Sequence, residues 1–131
     1  EKRIYLYGFS QACALNFRFA FTYPELLRGV LGVCGGIPGD LETSEVYRPT
    51  EADVFYLYSR NDEFYPLEKF EGFAAKLKSY LPNYEAKSYE AKHEITDDMR
   101  DDMRGWLGSL ESTLEPASSP AGSSLKAELQ T

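Results

Sequence analysis

The spacing of apolar and polar positions changes several times along the chain, and each change marks an element. Arg3 to Tyr7 (Arg-Ile-Tyr-Leu-Tyr) is a β-branched and aromatic run ended by Gly8, which predicts a strand buried on both faces. Past the turn Gly8-Phe9-Ser10, the segment Gln11 to Thr22 is apolar almost all round and stops before Pro24. It reads as a buried helix. Gly29 to Cys34 is a second apolar run, closed by the breakers Gly35-Gly36-Ile37-Pro38-Gly39, and so a strand feeding a loop. A polar linker, Asp40 to Ala52, follows. Val54 to Tyr58 predicts a third strand, and Leu67 to Leu81 carries Phe70, Phe73, Ala74, Leu77 and Leu81 at helical spacing ahead of Pro82. Tyr84 to Tyr89 alternates as a fourth strand, expected at a sheet edge. Thr96-Asp97-Asp98 caps a last helix whose Met99, Met103, Trp106, Leu107 and Leu110 share a face.

The order strand, helix, strand, loop, strand, helix, strand, helix is the alternation that yields a mostly parallel sheet covered by helices, so the class is α/β with about four strands. Beyond Glu111 the chain turns to Ser, Pro, Ala and Gly, a composition that buries too little surface to offset ordering entropy. The expected organisation is one domain over 1–111 and a disordered tail over 112–131. No internal repeat is visible.

Composition narrows the function. Of 131 residues, 43% are hydrophobic and 15% aromatic, enough for one globular core. Fourteen Lys and Arg against twenty-one Asp and Glu leave a formal charge of −7, which argues against nucleic acid or an anionic membrane as partner. A small or neutral partner fits better. Cys13 and Cys34 lie in apolar runs and read as buried free thiols of a reducing, cytoplasmic setting. The sole histidine, His93, excludes multi-histidine metal sites. No run approaches the roughly 18 apolar residues of a membrane span, and the opening Glu1-Lys2-Arg3 does not read as a signal peptide.

Gly8-Phe9-Ser10-Gln11-Ala12 stands between a strand and a helix, the context of a nucleophile elbow. Gly8 and Ala12 are small where the turn must close, and Ser10 sits at its sharp point beside a helix start that favours a developing anion. Ala12 departs from the usual final Gly, and a Ser in this place also serves as a plain N-cap. A serine hydroxyl needs a base, and the base needs a carboxylate to hold its tautomer. His93, in the loop before the last helix, supplies the imidazole, and Asp62, just after the third strand, the carboxylate. Glu63 is the neighbouring rival for the acid. All three candidates fall at the carboxyl ends of strands, where open α/β sheets hold their ligands. Their order along the chain, Ser, Asp, His, is that of the α/β-hydrolases.

These motifs resemble the carboxyl-terminal half of the phospholipase/carboxylesterase family of α/β-hydrolases, which includes acyl-protein thioesterases. The family's G-F-S-Q-G-G, its helix ending in Y-P, its H-G-x-x-D-x-x-V-P and its G-H-E-I are matched in order. Here they read Gly8-Phe9-Ser10-Gln11-Ala12-Cys13, Tyr23-Pro24, Tyr58-Ser59-Arg60-Asn61-Asp62-Glu63-Phe64-Tyr65-Pro66 and Lys92-His93-Glu94-Ile95. Ala12, Cys13, Tyr58 and Lys92 depart from the pattern and mark a divergent branch. The resemblance implies a partial α/β-hydrolase and acyl transfer on a small or medium carboxyl ester or thioester. Ser10 is then the nucleophile, His93 the base, Asp62 its orienter, and the Gln11 backbone N–H one oxyanion donor. No metal or organic cofactor is called for. Ile37, Phe64 and Tyr65 are apolar loop residues flanking the expected triad, as substrate contacts or as ordinary loop anchors.

The family carries further strands ahead of the elbow, and one of their loops supplies the second oxyanion donor. The chain is therefore expected to need an amino-terminal half, or a second copy, paired along the edge of Arg3 to Tyr7. Two other readings remain open: a non-catalytic interaction module on a hydrolase-like scaffold, and a peptidase sharing the triad.

Overall fold

A computed structural model describes residues 4–114. Along it run β1 (Tyr5–Phe9), α1 (Gln11–Thr22), β2 (Gly29–Val33), β3 (Asp53–Ser59), α2 (Leu67–Leu77), β4 (Tyr84–Tyr89) and α3 (Asp97–Leu114). Each strand pairs in parallel with the next, from Tyr5↔Gly29 through Gly29↔Asp53 to Val54↔Tyr84, giving the sheet order β1-β2-β3-β4. Parallel pairing brings the four carboxyl ends to one edge, and the residues following them become neighbours. This is the α/β architecture that the alternation predicts. The expected tail lies, from 115 onward, outside the described residues.

One sheet face carries the core of the first compact unit, which ends at Glu94. Val30 of β2 and Val54 of β3 are buried with Phe17, Ala20 and Phe21 of α1 and Leu77 of α2. Each large side chain so buried contributes about 1.5–3 kcal/mol. Tyr56 of β3 lies between the two helices, its ring centroid 6.0 Å from that of Phe17 and 5.5 Å from that of Phe70. Burial pushes its phenol far up, so it stays a donor, and it donates to the carbonyl of Gly35. The second unit, from Ile95 on, contributes α3, whose start is capped by Thr96: its hydroxyl accepts the Met99 N–H at 3.2 Å.

Several expectations need correction. β1 starts at Tyr5 and runs through Gly8 and Phe9, because the register continues to Phe9↔Val33 and the turn is confined to Ser10. Nor is the run Arg3 to Tyr7 buried on both faces: Tyr7 of β1 is 50% exposed, and Ile4, just ahead of the strand, is 56% exposed. A run of this composition is covered on both sides in the middle of a parallel sheet, and β1 stands at the end of the strand order. α1 has the expected range but buries only the face of Cys13, Phe17, Ala20 and Phe21, leaving Leu15 and Phe19 exposed.

α2 ends at Leu77 rather than Leu81. The chain turns there, the N–H groups of Tyr80 and Leu81 both reaching the Leu77 carbonyl, and Leu81 still enters the core. The linker 40–52 is polar in composition yet anchored: Leu41, Tyr47 and Ala52 are core residues, and the buried Thr50 hydroxyl donates to the Pro24 carbonyl at 2.8 Å. Three apolar side chains spaced along a polar segment show no period, although packing uses all of them.

Candidate active site

The site grows from the turn between β1 and α1. Ser10 has φ 62° and ψ −120°, a conformation that costs a non-glycine residue about 1–3 kcal/mol. Two backbone bonds hold it: its N–H donates to Val33 O at 2.9 Å, and its carbonyl accepts the Cys13 N–H at 3.1 Å. The turn closes only around small neighbours. A Cβ on Gly8 would stand 2.6 Å from Asn16 Nδ2 and 2.9 Å from the Ala12 carbonyl carbon, and one on Gly35 would collide with Ser10 O and Cys13 Sγ. Although Ser10 occupies the N-cap position of α1, its side chain makes no capping bond. The hydroxyl is turned elsewhere.

It meets His93, whose Nε2 lies 2.9 Å from Ser10 Oγ, while Nδ1 lies 2.8 Å from Asp62 Oδ2. Residues 10, 62 and 93 thus come together from the ends of β1, β3 and β4, across 83 positions of sequence. Both contacts are satisfied when Nδ1–H donates to Asp62 and Nε2 accepts the serine proton. Asp62 is buried, and its Oδ1 accepts the backbone N–H of Phe64 at 2.8 Å and of Tyr65 at 3.0 Å. Burial by itself raises its pKa. Hydrogen bonds from His93 and from the Tyr65 and Phe64 N–H groups outweigh that and hold the carboxyl below its usual range, so it is charged at neutral pH. Asp62 is thus a turn former through one oxygen and a partner of His93 through the other. Glu63, the rival acid, is exposed.

Aromatic rings surround the imidazole. Phe64 lies edge-on with centroids 4.9 Å apart, Tyr65 is stacked at 5.9 Å, and Phe9 is tilted at 4.8 Å. Phe64 stays 63% exposed, so one ring at the site faces solvent. Ile37 is half-buried and packs against the core of α1, β2 and β3. Gln11 opens α1, where a backbone N–H has no acceptor within the helix.

Two neighbours escape the sequence reading. Phe9 directly precedes Ser10 and could have been included on adjacency. Cys34 follows Val33 at the end of β2, has φ 51°, and donates its N–H to Leu57 O at 2.9 Å. Its thiol is fully buried, 3.3 Å from Ser59 Oγ, and burial raises its pKa. Its place at a strand's carboxyl end was the available signal.

A sequence profile of the phospholipase/carboxylesterase family matches residues 1–110. The chain belongs to that family. Solved structures agree with this family fold. Arabidopsis thaliana SOBER1 superposes with a TM-score of 0.67 at 20% identity, covering 85% of this chain and 53% of its own. A Bacillus cereus carboxylesterase gives 0.71 at 16%, covering 83% and 50%. Zea mays acyl-protein thioesterase 2 gives 0.64 at 19%, covering 79% and 54%. This member of the phospholipase/carboxylesterase family therefore has the α/β-hydrolase fold in part, and it spans about half the length of these relatives. No curated protein matches the chain. Among the described residues, no helix is long and apolar enough to cross a membrane.

Proposed function

We propose that this chain is the acyl-transfer half of a serine esterase or thioesterase, with Ser10 as nucleophile, His93 as general base and then acid, and Asp62 as the group that orients His93. The observation that carries this reading is the bridging of Ser10 Oγ and Asp62 Oδ2 by the two nitrogens of one imidazole, at 2.9 and 2.8 Å. Ser10 attacks the carbonyl carbon as its proton passes to Nε2. Asp62 stabilises the imidazolium, and the leaving alcohol or thiol takes the proton back. Water then repeats the sequence to release the acid. The Gln11 N–H faces the tetrahedral oxyanion, and a second donor comes from outside the described residues.

Small and medium acyl groups suit the site. The segment after β2 is tied into the core by Leu41, Tyr47 and Ala52, which leaves it to flank a pocket rather than swing as a lid over a lipid. Phe64 and Tyr65 offer the apolar surface next to His93, whereas Ile37 contributes as a core anchor. The two free thiols, Cys13 and Cys34, suit a reducing cytoplasm.

Full activity further requires a strand beside β1, from the same polypeptide or another. β1 stands at the end of the sheet order, and Ile4, Leu15, Phe19 and Leu26 form exposed apolar surface on and around β1 and α1. The chain's span of about half its structural relatives fits this reading, and it also favours a second one: a non-catalytic interaction module. Turnover of a short-chain p-nitrophenyl ester decides between them. The enzyme reading expects slow hydrolysis by the chain, lost in Ser10→Ala and enhanced when a separately produced amino-terminal half of a related hydrolase is added. A folded chain that stays inactive under both conditions supports the module.

A further inference from the structure

Cys34 has no part in acyl transfer, yet its thiol is built into the same cluster. Its Sγ, one carboxylate oxygen of Asp62 and one ring nitrogen of His93 all lie within 4.8 Å of one another, brought from the ends of β2, β3 and β4. Sγ also lies 3.3 Å from Ser59 Oγ and 3.8 Å from the Glu94 carbonyl. Cys34 and Asp62 are buried, and His93 is partly buried. A thiol, an imidazole and a carboxylate form a donor set that suits borderline-soft divalent cations and is poorly matched to Mg2+ or Ca2+.

We propose that Cys34, Asp62 and His93 form a site for a thiophilic divalent cation of the Zn2+ type, and that occupancy switches off the nucleophile. The switching half rests on the triad reading above; the site itself does not. Bonds of about 2.3 Å to sulfur, 2.0–2.1 Å to nitrogen and 2.0–2.2 Å to oxygen, at tetrahedral angles, set the ligand atoms about 3.3–3.6 Å apart. The 2.8 Å contact between His93 and Asp62 therefore opens by about half an ångström, and the longer separations, none above 4.8 Å, close by at most about 1.5 Å. Solvent fills the fourth position. A chain with formal charge −7 draws cations toward it.

The protons show why binding inactivates. In the resting triad the neutral ring carries its proton on Nδ1 and accepts from Ser10 at Nε2. A cation on the Nδ1 lone pair leaves the single ring proton on Nε2. Cys34 gives up its thiol proton to solvent, so one proton is released per ion. Two positive charges then meet one thiolate and one carboxylate. With Nε2 now a donor, His93 cannot take the Ser10 proton, and the Asp62 contact that held the working tautomer is replaced by coordination.

Since His93 is the sole histidine, an imidazole 1H–15N spectrum of the wild-type chain, free of any added histidines, reports on one ring. Adding 113Cd2+ is expected to couple cadmium to Nδ1 and to place the proton on Nε2. Co2+ is expected to add a sulfur-to-cobalt charge-transfer band that is lost in Cys34→Ser and kept in Cys13→Ser. Zn2+ is expected to slow fluorophosphonate labelling of Ser10 at least tenfold, reversibly by a chelator, with Mg2+ ineffective. Coupling to Nε2, no coupling at all, or a cobalt band that survives in folded Cys34→Ser overturns the site. The ring spectrum needs no variant, so a misfolded Cys34→Ser leaves it decisive. Zinc binding at Nδ1 with labelling unchanged overturns the switch. A chain that fails to label even without metal contradicts the triad reading alone, because the spectra still test the site.

Discussion

Asp62 holds His93 with one carboxylate oxygen, Oδ2 at 2.8 Å from Nδ1, and holds its own loop with the other, which accepts the N–H groups of Phe64 and Tyr65. A single buried side chain therefore couples the tautomer of the base to the shape of the loop that places two aromatic rings beside it. Asp62→Asn keeps the loop acceptor but offers His93 an amide, which favours the wrong tautomer. Ester turnover is expected to fall by about 10⁴ while the fold survives. Equal turnover, checked beside the circular dichroism spectrum, would shift the acid role to Glu63.

The same carboxylate makes stability depend on pH. Its pKa is lower in the folded state than in the unfolded chain, so its contribution is complete above the unfolded value of about 3.9 and is lost as pH falls through the folded one. Urea unfolding between pH 6 and pH 3 is expected to show a steeper loss below about pH 4 in the wild type than in Asp62→Asn. Parallel curves contradict this.

Gly35 faces the elbow from the end of β2, where a methyl group would collide with Ser10 O and Cys13 Sγ. Because Ser10 O is backbone and cannot step aside alone, Gly35→Ala is expected to destabilise the chain by about 1–3 kcal/mol and to displace the nucleophile. Urea midpoints and Ser10 labelling rates check the two effects together.

Phe64 is 63% exposed yet lies edge-on to His93 at 4.9 Å. Truncation to Ala is expected to change stability by less than about 0.5 kcal/mol, as at most surface sites. If the ring covers the apolar part of a bound ester, loss of about 1.5 kcal/mol of burial lowers kcat/KM by about tenfold for apolar substrates, with acetate esters least affected. A uniform loss across chain lengths contradicts a substrate contact.

What was legible in the sequence was local. Gly8-Phe9-Ser10-Gln11 announces the elbow because sharp turns admit few residue types, and His93 had no competitor for the base. Asp62 could be picked out because a residue just past β3 lands at the same sheet edge as Ser10. The rest depended on three-dimensional neighbours. Cys34 read as an apolar filler because its nearness to Asp62 and His93 is set by the parallel register of three strands. Ile37 shares the apolar character of Phe64, and only three-dimensional packing shows that it rests against the core. Leu41 and Tyr47 lie in a polar segment without periodicity, so their burial leaves no pattern to read.

The central claim is that Ser10 is a nucleophile activated by His93. Incubating the folded chain with a fluorophosphonate and mapping the adduct by peptide mass spectrometry tests this most directly. The account predicts a single adduct on Ser10, absent in Ser10→Ala and formed at least a hundredfold more slowly in His93→Ala. A folded chain left unmodified, or an adduct that persists in Ser10→Ala, contradicts it.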